Sequence, residues 1–282
     1  MSEIRVNNIT NRDGTAGPSI AGIPVVDSNS HFVVPTGRTG QRYADGGENI
    51  VRDGLVLHLD AKYSYPGATG TNPDVYTWYD LSGNENHGEL KNGVSYSGSD
   101  GGSLVFDGVN DTVVVGSKDS KLNPSQVTIS VWLNRTSTIS YSHFAGIPVS
   151  NNSWSSPYMS YGLEFISTGD NVSFVAGFNN GEFAYTTAEN TGLTGIGTWV
   201  NITGTYDENY RKIYINGNLI TSIADNRKLG AASGNFTLGA ENYTQTNFPL
   251  NGKIPVCLVY NKALTASEVS QNFEALRSRF GI

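Results

Sequence analysis

Lys212-Ile213-Tyr214-Ile215-Asn216-Gly217-Asn218-Leu219-Ile220 sets two apolar runs on either side of an Asn-Gly pair. A type I′ hairpin turn needs positive φ at both central residues, which Asn and Gly adopt at least cost, so this stretch reads as a β-hairpin. Outward from it, Leu55-Val56-Leu57-His58-Leu59, Val113–Val115 and Thr128–Leu133 alternate as half-buried strands do. Ile254, Val256, Leu258 and Tyr260 fall on one face of a late strand, with Pro255 marking an edge or a bulge. Many short strands separated by turn signals predict a two-sheet antiparallel sandwich. The period changes only at the end. Thr265-Ala266-Ser267-Glu268 is a capping box, and Val269, Phe273, Leu276 and Phe280 form one helical stripe before Gly281. One short C-terminal helix should lie on the sandwich.

The composition agrees. Charged residues make up 15% of the 282, against roughly 25% in an average globular protein. Gly, Ser, Thr, Asn and Tyr fill the gap, and they favour turns and strands. The net charge is −7, from 18 basic and 25 acidic side chains, with no Lys/Arg cluster. Nucleic-acid binding has no electrostatic footprint here. No apolar run approaches the ~18 residues of a membrane span, and Met1–Arg5 lack a secretory pattern. The expectation is synthesis in a host cytoplasm without membrane insertion. Cys257, the single cysteine, reads as a buried thiol in a strand. The Asn-x-Ser/Thr triplets are read as composition and not as glycosylation sites.

Residues 1–47 differ from residues 48–282. Two short apolar runs, Ile20–Val26 and Phe32–Pro35, stand among glycines and prolines that forbid a helix. So short a segment cannot bury enough to fold alone. It is either a disordered leader or an extended arm that orders against a partner. The β-branched residues favour the arm, with Ile4, Val6, Ile9, Ile20, Ile23, Val25, Phe32 and Val34 as its docking side chains.

Several motifs along residues 50–282 occur together. They are Gly54-Leu55-Val56-Leu57-His58-Leu59-Asp60, Trp78-Tyr79-Asp80-Leu81-Ser82-Gly83-Asn84-Glu85-Asn86-His87-Gly88, Leu104–Asp111, Ile129-Ser130-Val131-Trp132, the Asn216-Gly217 hairpin and Val259–Thr265. In order and spacing the chain resembles the laminin-G-like branch of the concanavalin-A-like jelly rolls. The resemblance implies an all-β, two-sheet antiparallel jelly-roll sandwich, a function in binding and, in many members, a calcium ion. Glu3–Gly14 with Gly17–Ile23 resembles the leader on virion proteins of marine tailed phages, which implies an attachment peptide binding other virion proteins.

For chemistry, the Glu-x-Asp-x-(x)-Glu strand of jelly-roll glucanases is missing, and Glu164 and Glu182 stand in strand-like contexts without partners. His31, His58, His87 and His143 are scattered, and neither a nucleophile elbow nor a phosphate loop occurs. His58 reads as a sheet-face histidine, and His87 as a structural hydrogen-bonding residue. The chain is expected not to be an enzyme. Calcium needs six to eight oxygens. Asp80, Asn84, Asp107, Asn110 and Asp111 lie in turns that the resemblance places near one another, and Asx-turns are the alternative role for the same residues. For a glycan, Tyr141, Phe144, Trp154, Tyr158, Tyr161 and Tyr243 offer stacking faces among Asn and Ser. The same aromatics could instead be sandwich core or subunit contact.

These readings converge on a phage virion accessory protein. Its arm anchors it, and its domain, as one of several copies in a homo-oligomer, adheres to host-surface polysaccharide. A capsid-decorating or tail-reinforcing piece without a ligand, and a carbohydrate-active enzyme, are the alternatives.

Overall fold

The computed structural model describes residues 19–20, 23–24, 49–65, 76–116, 120–137, 141–150, 156–166, 170–189, 192, 195–241 and 248–282. The chain divides into two units, Met1–Asp45 and Gly46–Ile282. In the first, β1 (Ser19–Ile20) pairs antiparallel with β2 (Ile23–Pro24), and Ile20 stands opposite Ile23. The other proposed docking residues, Ile4, Val6, Ile9, Val25, Phe32 and Val34, lie outside the described residues.

The second unit is all-β. Its strands are β3 (Leu55–Asp60), β4 (Thr77–Trp78), β5 (Gly88–Lys91), β6 (Ser95–Ser97), β7 (Ser103–Asp107) and β8 (Thr112–Val115). They continue with β9 (Val127–Arg135), β10 (Ser142–Pro148), β11 (Met159–Phe165), β12 (Val172–Gly177), β13 (Phe183–Ala188) and β14 (Val200–Tyr206). The last are β15 (Tyr210–Ile215), β16 (Asn218–Ala224), β17 (Phe236–Leu238) and β18 (Asn251–Tyr260). Among the described residues, two short α-helices accompany them, α1 (Ala61–Ser64) and α2 (Ala266–Leu276).

The strands form two eight-stranded antiparallel sheets, the two-layer jelly-roll sandwich expected from the sequence. One runs β13-β12-β11-β10-β17-β8-β5-β4. The other runs β16-β15-β14-β9-β18-β7-β6, with β3 also on β18. Alternate residues of the facing strands meet between them. Val127, Ile129, Val131 and Leu133 of β9 come from one side, and Tyr161, Leu163 and Phe165 of β11 from the other. The hairpin forms as read: Ile215 pairs with Asn218 across Asn216 (φ 48°) and Gly217 (φ 75°).

Pro255 marks a bulge in a central strand rather than an edge. The ladder of β18 with β9 shifts register between Lys253 and Val256, where the neighbour on the other side changes from β7 to β3. An inserted residue turns the following side chains to the opposite face. Ile254 therefore lies in the inter-sheet core, while Val256, Leu258 and Tyr260 face the other way. The four residues do not share one face.

The end of the chain packs on that other face. Thr265 caps α2, with the reciprocal Glu268 bond of a capping box. The helix and the 3-10 turn that follows it (Arg277–Phe280) lay Val269, Phe273, Leu276 and Phe280 over Trp132, Tyr214 and Val256. The Trp132 ring stacks on Phe273 (5.6 Å) and on Phe280 (4.3 Å). Asn272, invisible in the apolar stripe, accepts from the Val51 amide at 2.8 Å and donates to the Tyr260 hydroxyl at 3.0 Å. The middle of that outer face, over β9, β15 and β18, is thus covered.

Candidate functional site

The outer face of the β13-to-β4 sheet is polar and ringed with aromatic side chains. Strand alternation decides who reaches it. On β11, Tyr161, Leu163 and Phe165 point into the core, which leaves Ser160, Gly162 and Glu164 outward. The register places His143 beside Glu164, Glu164 beside Ser173, and Ser173 beside Thr187, one row across β10 to β13. The next row is Thr237, Gly146, Gly162, Val175 and Tyr185. The two glycines have a packing reason: a Cβ on either would overlap Met159 Cε, which lies across both.

Below the rim sit three ionisable side chains. His143 is fully buried, with Nε2 3.5 Å from Thr237 Oγ1 and Nδ1 unpartnered. Burial pushes its imidazolium down to about 3, so the ring is neutral. Glu164 is 7% exposed, and burial raises its carboxyl to about 7 against the opposing hydrogen bond from Tyr185. Glu241, just past β17, is 1% exposed, and neither carboxyl oxygen has a hydrogen-bond partner. Burial, and then the nearby Glu164 charge, push it up to about 8. Two desolvated carboxyls this close resist double ionisation. Burial also raises the Tyr185 hydroxyl, as do Glu164, Tyr141 and Glu241.

Above them stand the aromatic rings. Tyr141 is 47% and Tyr185 39% exposed. Tyr158 meets Phe183 edge-on at 5.2 Å, and Phe183 meets Tyr185 the same way at 5.6 Å, a chain along β13. Tyr141 packs on Phe248 at 5.9 Å. Exposed ring faces beside buried hydrogen-bonding groups can hold a polar ligand with apolar C–H surfaces.

Of the aromatics proposed from sequence, Tyr141 and Tyr158 are at this face. Phe144 and Tyr161 are not. Both are fully buried between the sheets, Phe144 against Phe165 at 5.3 Å and Tyr161 with its hydroxyl on the Leu122 carbonyl at 2.9 Å. Alternation turns them inward, and they cannot stack on a ligand. Trp154 and Tyr243 lie outside the described residues. Glu164 gains a partner in Tyr185, and Glu182 is bound by Arg227 at 2.8 Å. His143, Glu241, Thr237 and Tyr185 were missed as site residues. The alternation of Met159–Phe165 could have placed Glu164 outward, but no local signal brings Glu241 to it.

The proposed calcium ligands do not converge. Asp80 spends its oxygens on the amides of His58, Ser82 and Asn86 and on the Ser82 hydroxyl. Asn84 Oδ1 already accepts from Lys121 at 2.7 Å. These residues precede β5, whereas Asn110 is tied to Asn92, which follows β5. Four strand residues at ~3.3 Å each put roughly 13 Å between the loops. In the second loop, Asp107 accepts from Val109 and Asn110, and Asp111 from Asp107. One Asp111 oxygen is buried without a partner, too little for a calcium shell. The donors do not fit the ion; they make Asx-turns. His87 accepts from the Asp80 amide at 3.1 Å, the structural role read from the sequence. His58 is buried on the sheet, and its ring nitrogens are without partners.

One helix-covered face, one open polar-aromatic face and two curved antiparallel layers define a lectin-like jelly-roll sandwich. The model of the concanavalin A-like lectin/glucanases superfamily matches residues 107–270, and the chain belongs to that family. Among solved structures, it is similar to the binding domain of botulinum neurotoxin DC, in complex with a sialylated ligand and, separately, with rat synaptotagmin II. In each case identity is 18% and TM-score 0.58, over 80% of this chain and 52% of that one. The chain thus spans about half the length of these neurotoxin domains. Domain 4 of AbnA, a GH43 extracellular arabinanase from Geobacillus stearothermophilus, in complex with arabinotriose, is similar at 20% identity and TM-score 0.55. There the match covers 77% of this chain and 97% of that one. At these identities the likeness is one of fold. No curated protein sequence matches the chain.

Proposed function

We propose that this protein is a non-enzymatic glycan-binding module whose ligand lies on the open face of the β13-to-β4 sheet, over Tyr141 and Tyr185. The observation that carries the reading is the asymmetry of the sandwich. The last helix covers the middle of one outer face, while the other presents half-exposed tyrosines above unpartnered polar groups. Similar folds seen with arabinotriose and with a sialylated ligand support it. In this reading residues 1–47 dock the chain on a phage particle, and the domain meets host-surface polysaccharide. Many copies on one particle make weak sites sufficient. The test is titration of soluble polysaccharides into the full chain and into Tyr141→Ala and Tyr185→Ala. Each substitution is expected to weaken binding by roughly tenfold, the order of one lost stacking contact, without unfolding the domain. Binding unchanged in both variants would refute the site. Mass spectrometry of purified particles tests the virion part, which fails if the protein is absent from them.

A second reading rests on the Glu164–Glu241 pair. One protonated and one ionised carboxyl near neutrality is also what glycoside hydrolysis uses. Both are closed beneath Tyr185, however, and a reducing-sugar assay on the polysaccharides that bind is expected to show no release.

A further inference from the structure

On the glycan-binding reading above, we infer that Arg211, a residue of the opposite sheet, positions Tyr185 for its ligand. Tyr185 lies on β13, the strand that ends its sheet, so its backbone is laddered on one side only, to β12. The free side of an edge strand presents unpaired N–H and C=O groups, and such a strand opens more readily than an inner one. A ring carried on it must be ordered when it stacks on a ligand. That ordering weakens binding unless the backbone is already held.

The hold comes from across the sandwich. Arg211 has the same inward parity on β15 as Ile213 and Ile215, and it is 4% exposed. Its Nη1 donates to the Tyr185 carbonyl at 2.8 Å and to the hydroxyl of Thr186, the next residue of β13. Thr221 of β16 donates its hydroxyl to the Thr187 carbonyl, also at 2.8 Å. Two alternate carbonyls on the free edge of β13 are thus taken by side chains of the other sheet. The guanidinium of Arg211 is itself fixed. Its Nε donates to Asp225 at 2.8 Å, and the same carboxylate accepts from Arg227 through Nη2 at 2.6 Å and Nε at 2.9 Å. Arg227 in turn donates to Glu182, immediately before β13, at 2.8 Å. Asp225 therefore ties both arginines to the strand that carries Tyr185. A planar guanidinium meets Asp225, Thr186 and the Tyr185 carbonyl at once, and an ammonium on a flexible stem does not reproduce that fork.

The test is a double-mutant cycle read by calorimetric titration of soluble galactan, dextran and polysialic acid into the full chain. Arg211→Lys keeps a charge for Asp225 and loses the fork. It is expected to weaken binding by roughly fivefold in the parent and in Tyr141→Ala, with no further loss in Tyr185→Ala, where the ring it positions is gone. A residue that only stabilises the sandwich would lower binding alike in both tyrosine backgrounds. Thr221→Val frees the Thr187 carbonyl without touching a charge, and is expected to show the same dependence on Tyr185 at about twofold; it decides the question if Arg211→Lys does not fold. Unchanged affinity in both variants, or a loss as large in Tyr185→Ala as in Tyr141→Ala, overturns the inference and leaves glycan binding standing. Failure of the parent chain to bind any of the three polymers overturns the glycan reading, and the inference with it.

Discussion

Raising the pH from 6.5 to 8.5 is expected to cost the folded domain roughly 3 kcal/mol, at ~1.4 kcal/mol per unit of pKa shift. The loss comes from Glu164 and Glu241, whose carboxyls burial pushes up to about 7 and about 8 from the ordinary 4.5. A raised acid pKa means that the folded state holds a proton the unfolded chain has released. Stability from that proton is present below 4.5 and is lost as pH rises through the folded value. Between 4.5 and 6.5 the loss is offset by His58 and His143. Their folded values are lowered from 6.5 to about 3, so each gains stability as pH rises over that range. Above 6.5 the histidines contribute no further gain. Most of the loss above 6.5 then comes from Glu241, whose folded value is the higher of the two, and the smaller part from Glu164. Below 4.5 stability falls with falling pH, through the histidines and through Asp225, whose carboxyl the Arg227 hydrogen bond lowers to about 2. The profile is a plateau from about 4.5 to 6.5 with a shoulder falling on each side. Urea unfolding followed by tryptophan fluorescence at pH 5.5, 6.5, 7.5 and 8.5 reads it directly. Glu241→Gln should remove most of the alkaline shoulder and be more stable than the parent at pH 8.5. A parent stability that is flat or rising from 6.5 to 8.5, or an equal fall in the variant, would refute the reasoning.

Three further outcomes are expected. Trp132→Ala removes the ring between Phe273 and Phe280 and should cost ~3–5 kcal/mol, with loss of near-ultraviolet dichroism as the helix loosens. Thr265→Ala deletes the capping-box side chain of α2 and should cost ~1 kcal/mol by urea midpoint. Asp225→Ala leaves the buried Arg211 guanidinium, now paired with it at 2.8 Å, without its carboxylate. The expected cost is ~3–5 kcal/mol in the same assay, and a cost under 1 kcal/mol would mean that Arg211 finds another partner.

What the sequence made legible was local. The Asn216-Gly217 hairpin, the alternating strands and the Thr265 capping box each depend on residues within a few positions of one another, and each formed as read. The Pro255 bulge was signalled, but its consequence depended on two different strands abutting β18, which no local pattern encodes. Phe144 and Tyr161 misled because an aromatic among Ser and Asn looks the same whether its strand turns it inward or outward. The site itself was the least legible part. Glu164 and Glu241 come from strands and loops distant in sequence, and only the β10–β17 pairing brings them to one face. The residues read as calcium ligands were legible as turns rich in oxygen, but no local pattern shows that β5 stands between them.

The central claim is that the open sheet face is the glycan site, and a co-crystal with a neutral oligosaccharide tests it most directly. The account predicts a sugar ring stacked over Tyr141 or Tyr185. An oligosaccharide seated elsewhere, on the helix-covered side or on the turns around Asp80 or Asp107, would contradict it.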